Sequence, residues 1–456
     1  MINQEKMKIR LTVFSIPFLI IFLFSGCSQT KYDLAIIAGT VIDGNGGTSS
    51  TNKLLLISNG KIERIADAAD KNKYTIDSLI DAHDKYVIPG LFDMHGHITM
   101  NNRTIDTSNG GFKLNVVYDQ ESAEWGLRAL LYYGVMNVRE TADFLKQGMA
   151  LKKSIDNGSL VGPEIFTCGP LIEFQPSFNT MSVHVHTVKE AITEVQREAK
   201  AGVQFVKVYV SVPPLILKAV IDEAHKHNLK VLGHLGVTNW TQAANLGIDG
   251  LVHTGPLCDL AFTNLDSDSA KKTVQLLAKK KIYNDPTLAV IKNTINPKYG
   301  DSIVKSWPFV IPAATQKSWD QQNPINAIAL SGEMDLEKDF KWNLDYVTMA
   351  YKAGVPLLIG TDFNNPNTIP GYSLHQELQL FSQCGIPNNV ILKIATHDAA
   401  EYLGILKETG TIESNKNADL IILDKNPLED IRNTMSINKL LQHGKLVERE
   451  KLLTRK

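Results

Sequence analysis

Four cysteines in 456 residues are too few for a disulfide framework, and none shows metal-ligand spacing. An excess of one charge is missing as well: 47 Lys and Arg stand against 48 Asp and Glu, a formal net charge of −1. With no basic surplus to neutralise a phosphate backbone, nucleic acid is not an expected partner. No Gly-rich dinucleotide loop follows the first predicted strand of the central region, which counts against a doubly wound nucleotide-binding sheet. Internal repeats and low-complexity tracts are also absent. What is present is 43% hydrophobic and 21% charged residues, enough for a full core. A chain of this length predicts two or three domains, or one large α/β barrel with an attachment.

The longest apolar run, Leu11 to Phe24, falls short of the roughly 20 residues that a membrane-spanning helix needs. It follows Lys6, Lys8 and Arg10 and precedes Ser25-Gly26-Cys27, the tripartite pattern of a secretory signal. Small residues directly before a cysteine resemble the lipobox of bacterial lipoproteins, although Phe24 stands where that pattern prefers Leu. The reading is a signal peptide over 1–26, lipidation at Cys27 and an exported chain whose one membrane contact is that lipid anchor. Cys168, Cys258 and Cys384 then remain as free thiols.

Strand patterns cluster at both ends. Leu34–Ile42, then Leu54–Ile57 and Lys61–Ile65 around the turn Ser58-Asn59-Gly60, have counterparts in Ala418–Leu423 and Leu440–Val447. These predict one composite β-sandwich from 33–86 plus 406–456. Between the two ends lie eight short apolar strands: Tyr86–Phe92, Gly134–Arg139, Glu164–Cys168, Val203–Val210, Lys230–Gly233, Gly250–His253, Ile282–Asn284 and Val355–Gly360. Helical patterns alternate with them, which is the arrangement of a (β/α)8 TIM barrel over 87–405. The long connections 98–118, 169–187 and 286–343 are expected to wall the substrate site. Phe112, Phe174, Phe178, Trp307 and Trp319 are the aromatic candidates within them.

Barrel enzymes keep their chemistry at the C-terminal ends of the strands. The first predicted strand runs into Asp93-Met94-His95-Gly96-His97, and histidines at i and i+2 on an extended backbone reach the same side. Lys207, His234, His253 and Asp362 stand at four further strand ends. One such histidine is unremarkable; the set is a metal-site signature. In Val203–Val210 the face carrying Phe205, Lys207 and Tyr209 is expected to point inward. An ammonium there would be repelled by metal ions and costly to bury. Either the amine is neutral, or it reacts with carbon dioxide to give an anionic carbamate. Charge balance around two divalent ions favours the carbamate. Arg139 is a candidate for binding a substrate carboxylate, with a structural ion pair as the alternative. His184 and His186, and His375 in the helix after the eighth strand, are candidate substrate or pocket-wall contacts.

In this order, Val87–His97, Phe205-Val206-Lys207-Val208, Gly233-His234, Leu251-Val252-His253, Ile359-Gly360-Thr361-Asp362 and the return at Gly410–Glu413 and Asn417–Asp424 resemble the metal-dependent amidohydrolase superfamily. The layout is most similar to its imidazolonepropionase-related group, which includes binuclear Xaa-Pro dipeptidases. The resemblance implies two divalent ions, zinc being the expected metal, and a small-molecule substrate, and it leaves self-association open. It places His95 and His97 on the more buried ion, His234 and His253 on the exposed one, and a carbamylated Lys207 between them. It gives Asp362 to the buried ion and to proton shuttling, with a metal-bridging hydroxide as nucleophile. Tyr209 is the candidate second oxyanion donor. Deaminase members place a Glu soon after the fifth-strand His; His234-Leu235-Gly236-Val237 has none, so deamination is not expected. The expected reaction is hydrolysis of a C–N bond in an amide, dipeptide or cyclic amide. A lactonase or phosphotriesterase with the same site is the alternative, and a non-catalytic metal-binding lipoprotein a third reading.

Overall fold

The computed structural model describes residues 31–106, 113–175, 179–295, 307–331 and 336–453. The predicted signal, Cys27, Phe112 and Phe178 lie outside the described residues. Both chain ends build one seven-stranded sheet, ordered Lys445–Leu446, Ile437–Gln442, Leu420–Leu423, Thr75–Pro89, Lys31–Val41, Ser50–Ser58, Lys61–Asp67. Its hairpin turn puts Asn59 at φ 52° and Gly60 at φ 78°, the paired positive values that match strand twist. The ends meet on Thr75–Pro89, which runs parallel to the first strand and antiparallel to Leu420–Leu423. Period-two patterning covers both faces: Ile36, Leu55 and Ile57 join Val87, Leu420 and Ile422 on one, while Ala35, Leu54 and Leu56 pack with Tyr32 on the other.

Tyr86–Pro89 therefore belongs to this sheet, where the sequence pattern suggested the start of the barrel. Gly90 makes the break. A side chain there would stand 2.6 Å from the Met136 sulfur, and the first barrel strand begins at Leu91.

The barrel strands are Leu91–Gly96, Val135–Glu140, Glu164–Phe166, Phe205–Val208, Lys230–Gly233, Gly250–Val252 and Tyr283–Asp285, in that order. They pair in parallel except between the third and fourth, which are joined through Thr167 and Gln204. The expected eighth strand is reduced to a single bridge, Leu357 to Asn284. The ring is nevertheless completed by hydrogen bonds: Leu358 N–H donates to Asn284 (2.8 Å) and Met94 N–H to Ile359 (2.9 Å). Gly360 allows this approach, since a Cβ there would sit 2.7 Å from the His95 nitrogen. Alternation sorts the strand residues. Phe92, Met94, Phe205 and Leu232 fill the interior, and Val138, Val206, Val208 and Val231 pack under the outer helices.

Trp307 and Trp319 do not wall a substrate cavity. They are buried with Trp125 and Tyr133 in an aromatic cluster that also holds Ile369. Cys168, Cys258 and Cys384 are free thiols.

Candidate metal centre

The first barrel strand delivers His95 into the interior, where its Nδ1 lies 3.0 Å from Asp285 Oδ2. An ionised carboxylate can only accept, so Nδ1 carries the proton and Nε2 offers its lone pair on the Asp362 side, 3.8 Å from Oδ1. His253 repeats the arrangement. Its Nδ1 is 2.8 Å from the Thr287 hydroxyl, and its Nε2 lies 3.0 Å from Nδ1 of His234. His97 places Nε2 2.8 Å from Asp362 Oδ1, while its buried Nδ1 has no partner among the described residues. Ligand atoms of His95, His253 and Asp362 all lie within 4.8 Å of one another.

These residues line a cavity of about 200 Å³ together with Lys207 and Tyr209. The ring of Tyr209 is centred 4.7 Å from that of His234. His253 and Asp362 both hold positive φ, 64° and 60°. That backbone is uncommon outside glycine and concentrates at functional sites.

Electrostatics favour metal-ready forms. Burial pushes the imidazoles of His95 and His234 well below their ordinary range and brings His253 down to about 3, so all three are neutral donors. Burial opposes ionisation of Asp362, but the His97 hydrogen bond and the facing imidazoles hold its carboxyl below the usual range. Burial, opposed by nearby Asp285, brings Lys207 down to about 8. Neutral imidazoles, one carboxylate and an amine of lowered pKa form a donor set suited to a divalent metal ion.

The structure takes the remaining candidates elsewhere. Arg139 is 1% exposed; its Nε donates to Met94 O (2.6 Å) and its Nη2 to Asp285 Oδ2 (2.5 Å), so it anchors the site and does not face a substrate. His375 is buried between Thr434 Oγ1 (2.8 Å) and Tyr133 O (3.0 Å), tying the helix Tyr372–Gln383 to two other segments. His184 and His186 are exposed, and neither lines the metal-site cavity; His184 borders a separate surface depression with Lys189 and Glu190. The sequence reading missed Asp285, Thr287 and Arg103. The first stands one residue beyond the predicted seventh strand, at the same kind of strand end as the ligands.

Comparison with known proteins agrees with this architecture. The pattern of the amidohydrolase family matches residues 86–447. Ochratoxinase of Aspergillus niger is 25% identical over 441 residues, covering 87% of this chain and 82% of its own. Among solved structures, a Xaa-Pro dipeptidase superposes with a TM-score of 0.68 at 21% identity, covering 91% of this chain and 99% of its own. The A. niger ochratoxinase structure gives 0.66 at 22% identity, with 91% and 95% covered. At those identities the solved structures speak for the fold, and the family match carries the rest: the chain belongs to the amidohydrolase family and is a hydrolase acting on carbon–nitrogen bonds.

Proposed function

We propose that this hydrolase is binuclear and cleaves an amide bond in a small peptide-like or cyclic amide substrate. One observation carries the reading: four imidazoles, the Asp362 carboxylate and the Lys207 amine converge on one small buried cavity. His95, His97 and Asp362 would hold one ion and His234 and His253 the other, with a carbamate on Lys207 shared by both. Bound there, divalent ions supply a water of lowered pKa and polarise the scissile carbonyl. Asp362, hydrogen-bonded to His97, takes the proton of the attacking water at a carboxylate oxygen and returns it to the departing amine. The Tyr209 hydroxyl donates to the developing oxyanion from the His234 side of the cavity. Relatives named for a Xaa-Pro dipeptidase and for ochratoxin hydrolysis support the amide class.

The test is a hydrolysis screen of metal-loaded protein in bicarbonate, with dipeptides and N-acyl amino acids set beside lactones and phosphotriesters. Amine release that chelation abolishes and zinc restores is expected, with two ions per chain by elemental analysis. Turnover of lactones or phosphotriesters alone overturns the amide reading, and one ion at full activity overturns the binuclear one.

The chain is also read as an exported lipoprotein, on Lys6, Lys8 and Arg10, the apolar run and Ser25-Gly26-Cys27. Wild type should sediment with membranes, and Cys27→Ser should move to the soluble exported fraction. Equal distribution of the two sinks the lipid anchor.

A further inference from the structure

The seventh barrel strand, Tyr283–Asp285, grips His253 at both ends of its backbone. Asn284 Nδ2 donates to His253 O (2.8 Å), and His253 N–H donates to Asp285 O (2.8 Å). Two residues further on, the Thr287 hydroxyl meets the imidazole at Nδ1 (2.8 Å). For Nε2 to offer a lone pair to an ion, Nδ1 keeps its proton and the hydroxyl oxygen accepts it. Asp285 orients His95 in the same way, so Asp285-Pro286-Thr287 serves one histidine in each half of the centre.

Thr287 holds this contact from φ 50°. A β-branched residue is disfavoured there, and such a turn persists only where its surroundings over-determine it. On one side the strand fixes it. On the other the helix Leu288–Ile295 begins at once, and its first two amides need acceptors. Leu288 N–H donates to Glu377 Oε1 (2.9 Å) and Ala289 N–H to Glu377 Oε2 (2.6 Å). Glu377 is buried and comes from the helix Tyr372–Gln383, which follows the last barrel strand. A turn later the same helix is docked again, where Asn293 Nδ2 donates to Asn367 O (3.0 Å) and Gln376 Oε1 (3.2 Å). A change at Glu377 therefore loosens the first turn without releasing the helix. Neither Thr287 nor Glu377 lines the metal-site cavity, so both reach it through His253.

We infer that Thr287 and Glu377 are positioning residues of the metal centre: Glu377 pins the turn, and the Thr287 hydroxyl keeps the His253 ring with Nε2 toward the cavity. Their effect falls on the ion that His234 and His253 would hold. This rests on the binuclear reading above and names what fixes one half of it.

The experiment titrates the metal-free full chain with zinc alone against a chromophoric chelator, with Tm recorded alongside, for wild type, Thr287→Val, Thr287→Ser and Glu377→Gln. Thr287→Val keeps the branched shape and removes the acceptor. Glu377→Gln keeps one acceptor and sets an amide donor against a backbone donor. In each, one of two zinc ions should bind about 10–100-fold more weakly, the loss expected when a partner of a metal ligand is removed, with the other unchanged. Thr287→Ser should bind both ions as wild type does. Wild-type affinities in Thr287→Val, or equal weakening of both ions, overturn the assignment. A lower Tm in Glu377→Gln with both affinities intact leaves Glu377 a helix cap and removes it from the proposal. Should Glu377→Gln not fold, Glu377→Asp, which retracts the carboxylate by one methylene, is read by the same outcomes. A wild type that binds a single zinc ion defeats the binuclear reading separately; this assignment then stands if Thr287→Val weakens that ion and Thr287→Ser restores it, and falls otherwise.

Discussion

Replacing Lys207 by alanine is expected to lower kcat/KM by at least about 10³-fold, beyond the 10–100-fold that loss of a group supporting a metal ligand costs. The side chain is 2% exposed and points inward from the fourth barrel strand, which its register with Leu232 on the fifth strand holds in place. As an ammonium it would put a cation among four imidazoles and the ions they bind. Its lowered pKa of about 8 leaves a usable fraction of neutral amine near neutral pH. On the proposed reading that amine would attack carbon dioxide, forming an N–C bond and releasing one proton to water. The carbamate would then present one negative charge shared by two oxygens where the ammonium presented a positive charge. Alanine removes the nitrogen on which the carbamate forms and opens space of about its size. Acetate or propionate should therefore restore part of the activity, and metal content should fall below two ions per chain without them. Full activity of Lys207→Ala in the absence of added acid would remove the bridging role.

The ligand candidates were legible because they obey a local rule. Each stands at or just after a strand end, and alternation along Phe205-Val206-Lys207-Val208 shows which side faces inward. What the sequence hid depends on partners far along the chain. His375 reads as a helix-surface or pocket residue until Thr434, 59 positions away, and Tyr133, 242 positions away, enclose it. Trp307 and Trp319 look like substrate walls until Trp125 and Tyr133 claim them. The eighth strand kept its apolar pattern but not its ladder: it is joined to its neighbours by one bridge and single backbone hydrogen bonds. Arg103 carries no sequence signal at all. It becomes a site residue only because Asn365 and Met100 hold it against the cavity.

Arg139 shows how such a residue changes meaning, and it is the basis of the second large effect. Its pairing with Asp285 is almost fully buried, both side chains being 1% exposed, and Asp285 in turn orients His95. Burial raises the pKa of Asp285, and Arg139 is the largest influence opposing that rise. Arg139→Met should therefore cost about 3–5 kcal/mol of stability, the penalty for leaving one buried partner uncompensated. It should appear as a fall of several °C in Tm. Asp285→Asn keeps an acceptor near His95 but loses the charge, and it should weaken metal retention about 10–100-fold in a chelator competition. The double variant separates the two roles. If the pair is coupled, Arg139→Met with Asp285→Asn loses less stability than the two single changes added together. Metal retention should stay close to that of Asp285→Asn alone, because the Asp285 carboxylate is the contact through which Arg139 reaches the His95 ring, its other bond going to the Met94 backbone carbonyl. Additive stability losses, or metal retention that falls further in the double variant, would show that Arg139 acts on the site by another route.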